Sequence, residues 1–200
     1  GLTETSPVVS CNSIEDIRVE TVGPPFKGNL VKIADDGEIL VKGENVMLGY
    51  WKNKEETNKV LKNGWLYTGD IGEFDGKFLK ITDRKKDIII TAGGDNISPI
   101  KIENDLNKSD FIEQSLVYGD SKPYLVCLIV LSSEHKNNSK EKIQQEIEKI
   151  NLDLTKIEKI KKFIIIKDQF SVENNMMTPT LKLKRYKIIK NYKTELEKLF

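Results

Sequence analysis

The sequence has few of the residues that build disulfide frameworks, zinc sites or serine-protease triads. Cys11 and Cys127 are the only cysteines, and they are far apart and show no metal-site spacing. We therefore expect a reduced, intracellular protein without disulfides. His135 is the single histidine, which argues against zinc and against a Ser-His-Asp triad. It stands in a polar stretch and is predicted to be an exposed loop residue.

Long apolar runs and an excess of one charge are also missing. The longest apolar run, Leu125–Leu131, is far shorter than the ~20 residues of a spanning helix, so no transmembrane segment is expected in this chain. The 32 Lys and Arg residues nearly balance the 31 Asp and Glu residues, which gives no support to nucleic acid or an anionic membrane as the main partner. We expect a protein that is cytoplasmic or peripherally membrane-associated. The opening residues, Gly1–Pro7, do not resemble a natural N-terminus, so we expect a piece of a longer protein.

Residues 1–84 predict a small antiparallel β-barrel or meander. Strands are predicted at Ile17–Val22, Asn29–Ile33 and Glu38–Lys42, with a turn at residues 35–37. Asn53 is predicted to cap a short helix that ends at Val60. A second hairpin follows, with strands at Thr68–Phe74 and Phe78–Ile81. The charged run Asp83–Asp87 has no apolar member and is predicted to be a linker or surface turn, which places the domain boundary there.

Residues 85–200 predict a small α+β domain. Ser98 and Pro99 are a typical helix start, and the isoleucines after Lys140 recur at helical spacing. The predicted strands are Ile88–Ala92, Ser115–Tyr118, Tyr124–Leu131 and Phe163–Ile166. The predicted helices are Ser98–Leu106, Lys140–Asn151, Leu154–Ile160 and Tyr186–Phe200.

Four strings are candidates for chemistry, and the first two are weak when taken alone. In Gly1–Thr5, a threonine beside a glutamate could bind phosphate and Mg²⁺ together, because Mg²⁺ prefers one or two carboxylates plus phosphate oxygens. Taken alone, this string is better explained as a helix cap. In Gly64–Asp70, an aspartate after a glycine at a strand end could accept hydrogen bonds from a ribose diol. A turn aspartate that satisfies its own backbone is the alternative.

The third string, Asp83–Pro99, is long enough to be specific. Its arginine offers a rigid donor fork for ribose or phosphate, its two adjacent glycines let a backbone pass close to a ligand, and its charged turn could act as a hinge. The alternative is a surface loop with a Gly-Gly hairpin. The fourth string, Met177–Arg185, is a proline-broken loop with three cations before a helix. It could bring a lysine to a phosphate, or it could be a solvated basic loop.

Together, in this order and spacing, the four strings resemble the adenylate-forming (AMP-binding) superfamily of acyl-CoA synthetases, luciferases and peptide-synthetase adenylation domains. The resemblance runs from Gly1 to Arg185. It implies that residues 1–84 are the C-terminal part of a large AMP-binding N-terminal domain, its β-barrel subdomain. Residues 85–200 would be the small, mobile C-terminal domain.

The resemblance also implies roles for individual residues. Thr3, Asp70 and Arg84 would contact the nucleotide, and Glu4 would hold Mg²⁺. Lys86 would be the hinge between the two domains. Gly93 and Gly94 would line the CoA pantetheine tunnel, and Lys182 would be the catalytic lysine of the first half-reaction.

The chain departs from the general family pattern at two positions. Leu181 stands where many members have glycine before the catalytic lysine, and Lys101 stands at the first glutamate of the usual Pro-x-Glu-x-Glu. Both departures are similar to the long-chain fatty-acyl, bubblegum-like branch. Lys182 aligns best as the catalytic residue, and Lys184 is the fallback.

The implied reaction has two halves. A long-chain fatty acid attacks the α-phosphate of ATP to give acyl-AMP, and the CoA thiol then displaces AMP. The implied function is therefore a long-chain fatty acid–CoA ligase, a piece of which is expected to be inactive alone. The alternatives are an adenylation enzyme that loads a carrier protein and a non-catalytic nucleotide-binding relative.

Overall fold

The computed structural model of the chain describes residues 1–135 and 140–200. The chain divides into two compact units, residues 1–86 (unit 1) and residues 87–200 (unit 2). Each unit has both helix and sheet, as expected for an α+β protein. In the described residues, no helix has the length and apolar character needed to cross a bilayer.

Unit 1 is built on a five-stranded antiparallel sheet with the order β1-β2-β4-β3, in which β5 also pairs with β4. Strand β4 is long, and it pairs with β2, β3 and β5 along different parts of its length. The small core of this unit contains Val9, Ile39, Val41 and Leu79. The elements are β1 (Leu30–Ile33), β2 (Glu38–Lys42), α1 (Lys54–Val60), β3 (Leu61–Lys62), β4 (Trp65–Asp75) and β5 (Phe78–Arg84).

Two local features of unit 1, a hairpin and a helix cap, have the structure that the sequence predicts. Strands β1 and β2 pair antiparallel from Leu30↔Lys42 to Ile33↔Ile39 around the predicted turn, where Gly37 has a φ of 83°. Asn53 caps α1 by accepting a hydrogen bond from the backbone N–H of Glu56 at 3.1 Å.

Two predictions for unit 1 were wrong. Ile17–Val22 is not a strand but a loop, because the Asn12 side chain accepts from the N–H of Arg18 and donates to the carbonyl of Thr21. The run from Asp83 is not wholly a linker: β5 continues through Arg84, and Asp83 is only 3% exposed. Arg84 stays in the strand since it stands opposite an aspartate on β4.

Unit 2 is built on a three-stranded sheet in which β9 is central, parallel to β10 and antiparallel to β8. A separate two-stranded hairpin is formed by β6 and β7. The elements are β6 (Ile89–Ile90), β7 (Asn96–Ile97), α2 (Pro99–Leu106), β8 (Ile112–Tyr118), β9 (Leu125–Leu131), α3 (Lys140–Asp153), β10 (Ile160–Ile166), α4 (Arg185–Asn191) and α5 (Lys193–Glu197).

Strand β9 is apolar at every position because both faces of the sheet are covered. Leu125, Cys127 and Ile129 belong to the core shared with α2 and α3, whereas Val126 and Leu128 belong to the core shared with α4 and α5. Burial raises the pKa of the Cys127 thiol, so this cysteine packs as an apolar side chain.

Three expectations for unit 2 were wrong. Leu154–Ile160 is not a helix: a turn over residues 154–159 leads into β10 at Ile160, because the Asn151 side chain hydrogen-bonds both the N–H and the carbonyl of Ile160 at 2.9 Å. The final helix is divided into α4 and α5 at Tyr192. His135 lies in a 3₁₀ turn, partly buried, with its ring 4.4 Å from that of Phe111.

Candidate functional site

An open cleft of about 480 Å³ lies in unit 1 beside the N-terminal segment. Three residues that the sequence motifs indicated, Thr3, Glu4 and Arg84, lie in its lining although they are far apart in the chain. The lining residues include Thr3, Glu4, Tyr50, Tyr67 and Arg84.

The wall that carries Thr3 and Glu4 is a short 3₁₀ turn, Thr3–Thr5. Its buried Thr5 hydroxyl hydrogen-bonds to the carbonyls of Leu2 and Pro7, and the N–H of Met47 donates to the carbonyl of Glu4 at 2.8 Å. These bonds hold the backbone of the turn, so its threonine and glutamate face the cleft.

The carboxylate of Glu4 has one partner that the sequence did not reveal. The Tyr50 hydroxyl donates to its Oε1 at 2.8 Å, and this hydrogen bond raises the pKa of Tyr50. In residues 1–135 and 140–200 there is no cluster of three or more His, Cys, Asp or Glu side chains suited to a metal. A single carboxylate fits Mg²⁺, which is commonly held by one or two carboxylates together with substrate phosphates.

Asp70 does not line this cleft, but a break in the β2–β4 ladder places it beside Arg84, which does. Between the pairs Leu40↔Tyr67 and Glu38↔Ile71, three residues of β4 stand opposite one residue of β2. Such a bulge re-aims a side chain, and Gly69 within it has a φ of 70°. The Nε of Arg84 lies 2.8 Å from Oδ1 of Asp70. Thr3, Glu4, Asp70 and Arg84 are thus gathered in one region of unit 1.

Lys86 is an exposed turn residue and the last residue of unit 1. The residue before it is firmly held. Lys85 ion-pairs with Asp36 at 2.7 Å and with Glu38 at 2.8 Å, and these two carboxylates raise the pKa of Lys85. The backbone is therefore anchored up to Lys85.

The Gly93-Gly94 pair lies in unit 2, in the connection between β6 and β7. Thr91 and Asp95 close this turn through backbone and side-chain hydrogen bonds. Gly94 has a φ of 87° and open space where a Cβ would stand. A second cleft, of about 320 Å³, lies beside Gly93, and its lining includes Lys156, Lys159 and Lys161.

Lys182 lies on an exposed loop of unit 2. The loop is closed at its base because the N–H of Thr178 donates to the carbonyl of Lys182 at 2.8 Å and the N–H of Lys182 donates to the Thr178 hydroxyl. The ammonium of Lys184, by contrast, donates to Asn175 at 2.5 Å. Arg185, the third cation of the string, is not a solvated loop residue: it is ion-paired with Glu103.

Leu181 has a φ of 59° and is 69% exposed, so a side chain there pays a left-handed backbone penalty of roughly 1–2 kcal/mol. We expect Leu181→Gly to leave the free energy of unfolding unchanged or to raise it by up to about 1 kcal/mol, since the relief outweighs the added unfolded-state entropy. Leu181→Val should lower it.

Urea denaturation of the three proteins measures this effect. Leu152→Gly is the control, because Leu152 is also highly exposed but lies in the last turn of α3, where glycine relieves no left-handed backbone and is expected to lower the free energy of unfolding by less than about 1 kcal/mol. If Leu181→Gly lowers the free energy of unfolding as much as Leu152→Gly does, the backbone at Leu181 is not strained.

Comparison with known proteins decides the family. Residues 86–200 match the AMP-binding enzyme C-terminal domain, and residues 1–51 match the AMP-binding enzyme family. The chain belongs to the AMP-binding enzyme family.

Named relatives of this AMP-binding chain include long-chain fatty-acid ligases. The long-chain-fatty-acid–CoA ligase FadD15 of Mycobacterium bovis is 36% identical over 222 residues, which cover all of this chain and 37% of the relative. The chain thus spans little more than a third of that relative's length.

Solved structures of the same superfamily share the fold. The A domain of carboxylic acid reductase from Segniliparus rugosus, in complex with AMP and a co-purified carboxylic acid, has a TM-score of 0.82 at 26% identity and covers all of this chain and 34% of that one. The O-succinylbenzoate coenzyme A synthetase of Bacillus subtilis, in complex with ATP and a magnesium ion, has a TM-score of 0.75 at 30% identity and covers 93% of this chain and 39% of that one.

Proposed function

We propose that the complete protein carrying this chain is a long-chain fatty acid–CoA ligase that forms acyl-AMP from ATP and then transfers the acyl group to CoA. One observation carries this proposal: Thr3, Glu4 and Arg84 line one cleft, and Asp70 is ion-paired with Arg84. These residues match the nucleotide and Mg²⁺ positions of the family. The names of the relatives support a long-chain fatty acid as the substrate.

In the first half-reaction, the fatty carboxylate oxygen bonds to the α-phosphorus of ATP and pyrophosphate leaves. Asp70 accepts hydrogen bonds from the ribose hydroxyls, Arg84 contacts the nucleotide, and Thr3 contacts phosphate. Glu4 would hold a Mg²⁺ ion, which would supply positive charge beside the phosphates. Because two anions must meet, Lys182 supplies a fixed cation at the developing charge, a contribution of roughly 10²–10³ in rate.

In the second half-reaction, the CoA thiolate sulfur bonds to the acyl carbon and AMP leaves. Gly93 and Gly94 lie on a turn whose backbone can approach a ligand closely. The neighbouring cleft is lined by Lys156, Lys159 and Lys161, whose charge suits an acceptor as anionic as CoA. We propose that unit 2 rotates about Lys86, so that Lys182 serves the first half-reaction and the glycine turn serves the second.

The test is AMP release from ATP by the complete protein with palmitate, with and without CoA. We expect release that requires both the fatty acid and CoA. Release that requires a carrier protein in place of CoA favours a carrier-loading enzyme. Binding of ATP without turnover at any chain length favours a non-catalytic relative, and either result rejects the ligase.

Lys86→Pro is expected to slow thioester formation more than adenylation, about tenfold or more in the ratio of the two. Proline fixes φ near −65°, and a rotation about this residue needs that angle to change. Pyrophosphate exchange measures the rate of adenylation, and acyl-CoA formation measures the rate of the second step. Lys86→Ala, which keeps backbone freedom, is the control. Unchanged CoA-dependent turnover in Lys86→Pro counts against a hinge at this position.

A further inference from the structure

The bulge that presents Asp70 leaves the backbone of the partly buried Gly69 outside the β2–β4 ladder, and polar backbone groups that are removed from water need partners. The N–H of Gly69 donates to Oε1 of Glu38 at 2.8 Å. Its carbonyl accepts from the N–H of Lys85 at 2.8 Å. Both groups on this one residue are therefore bonded by Glu38 and Lys85.

The same two residues are joined through their side chains. Oε2 of Glu38 accepts a hydrogen bond from Nζ of Lys85 at 2.8 Å. Glu38 is 4% exposed, so its carboxylate is almost fully removed from water. Lys85 follows Arg84 in the chain and Gly69 precedes Asp70, so the Glu38 carboxylate ties together the neighbours of both members of the Asp70–Arg84 pair.

Stability alone does not account for a buried carboxylate here. Desolvation of an ion pair offsets much of its attraction, and apolar replacements are often neutral or stabilising. A role in geometry does account for it, because each oxygen of Glu38 bonds a group next to a nucleotide-binding position. Outer-shell partners of this kind orient the residues that touch the ligand.

We propose that Glu38 and Lys85 are positioning residues that hold Asp70 and Arg84 in the geometry that binds the ribose of ATP. This proposal rests on the nucleotide role assigned to Asp70 and Arg84 above. It assigns no contact with substrate to Glu38 or Lys85.

The experiment compares Glu38→Gln and Lys85→Met with the wild type in the complete protein, varying ATP and palmitate separately. Loss of a charge-assisted hydrogen bond is expected to raise KM for ATP about tenfold, with kcat and KM for palmitate changed less than about threefold. Lys85→Arg, which retains donors for the buried carboxylate, should recover most of the ATP affinity.

Asp36→Asn is the matched control. Asp36 also pairs with Lys85, but its side chain is 53% exposed, and exposed pairs contribute little. The KM for ATP of the Asp36→Asn variant should stay within about twofold of the wild-type value. Lys85→Met changes a half-exposed side chain and tests the idea if Glu38→Gln does not fold.

Direct titration with a fluorescent ATP analogue separates this proposal from the proposed reaction. Weaker binding in Glu38→Gln and Lys85→Met but not in Asp36→Asn supports positioning, even in a protein that makes no acyl-CoA. Unchanged ATP binding in both variants overturns it. Equal rises in KM for ATP and palmitate also overturn it, because they indicate a general loss of structure.

Discussion

Replacing Lys182 with alanine is expected to stop acyl-AMP formation while thioester formation from supplied acyl-AMP continues. Lys182 is exposed, and its backbone closes a short loop by hydrogen bonds in both directions with Thr178. Its ammonium is therefore presented to solvent on a short, bonded turn. Removing the cation should slow adenylation about 10²–10³-fold or more, because no water molecule replaces a fixed charge at the developing phosphorane.

The two half-reactions are measured separately in the complete protein. Pyrophosphate exchange reports adenylation, and acyl-CoA formation from supplied acyl-AMP reports the second step. Lys184→Ala is the informative comparison, because Lys184 is already hydrogen-bonded to Asn175. If Lys184→Ala stops adenylation and Lys182→Ala does not, the lysine assignment moves to Lys184. Equal loss of both half-reactions in Lys182→Ala rejects a role confined to adenylation.

Sequence patterns predicted the parts of the fold that depend on near neighbours. The β1–β2 hairpin, the Asn53 cap and the apolar strand β9 each follow from residues a few positions apart. Two strand or helix predictions failed where a side chain outside the predicted element hydrogen-bonds its backbone and overrides the local propensity. Leu154–Ile160 has helical spacing, yet the Asn151 side chain holds Ile160 at the start of a strand.

The candidate site likewise contains residues that the sequence predicts and residues that only the fold reveals. Thr3, Glu4, Asp70 and Arg84 could be proposed from strings in the sequence, because each string resembles a family motif. The residues that hold them in place could not be proposed from the sequence, because those residues lie far away in the chain. Tyr50 is 46 residues from Glu4, and Glu38 is 31 residues from Gly69. Only the folded sheet brings such pairs within hydrogen-bonding distance.

Arg185→Ala is expected to lower the free energy of unfolding of unit 2 by about 3–5 kcal/mol, since it leaves a buried carboxylate without its counter-charge. The Nη1 of Arg185 lies 2.7 and 2.8 Å from the two oxygens of Glu103, and Nη2 donates to the carbonyl of Val117. Glu103 in turn accepts from the N–H of Val117. The side chains of this pair are only 11% and 7% exposed, so solvent screening is weak.

Hydrogen exchange of the β8 and β9 amides is the appropriate measurement, because both tryptophans, Trp51 and Trp65, lie in unit 1. Exchange of the most protected amides should accelerate by roughly 10²–10⁴-fold, the range that corresponds to a loss of about 3–5 kcal/mol. Lys190→Ala is the matched control: it removes an exposed cation from the same helix, α4, and should change stability by less than about 0.5 kcal/mol.

A double-mutant cycle shows whether the loss comes from the pair itself. Glu103→Gln with Arg185→Met removes both charges, so no unpaired ion stays buried, and the double variant should lose less stability than the sum of the two single variants. Strict additivity contradicts direct coupling. Coupling, in contrast, makes Arg185 a structural cation that joins α2, β8 and α4. Arg185 is ion-paired and Lys184 is hydrogen-bonded to Asn175, so within residues 1–135 and 140–200 Lys182 is the cation of this string whose side chain has no such partner.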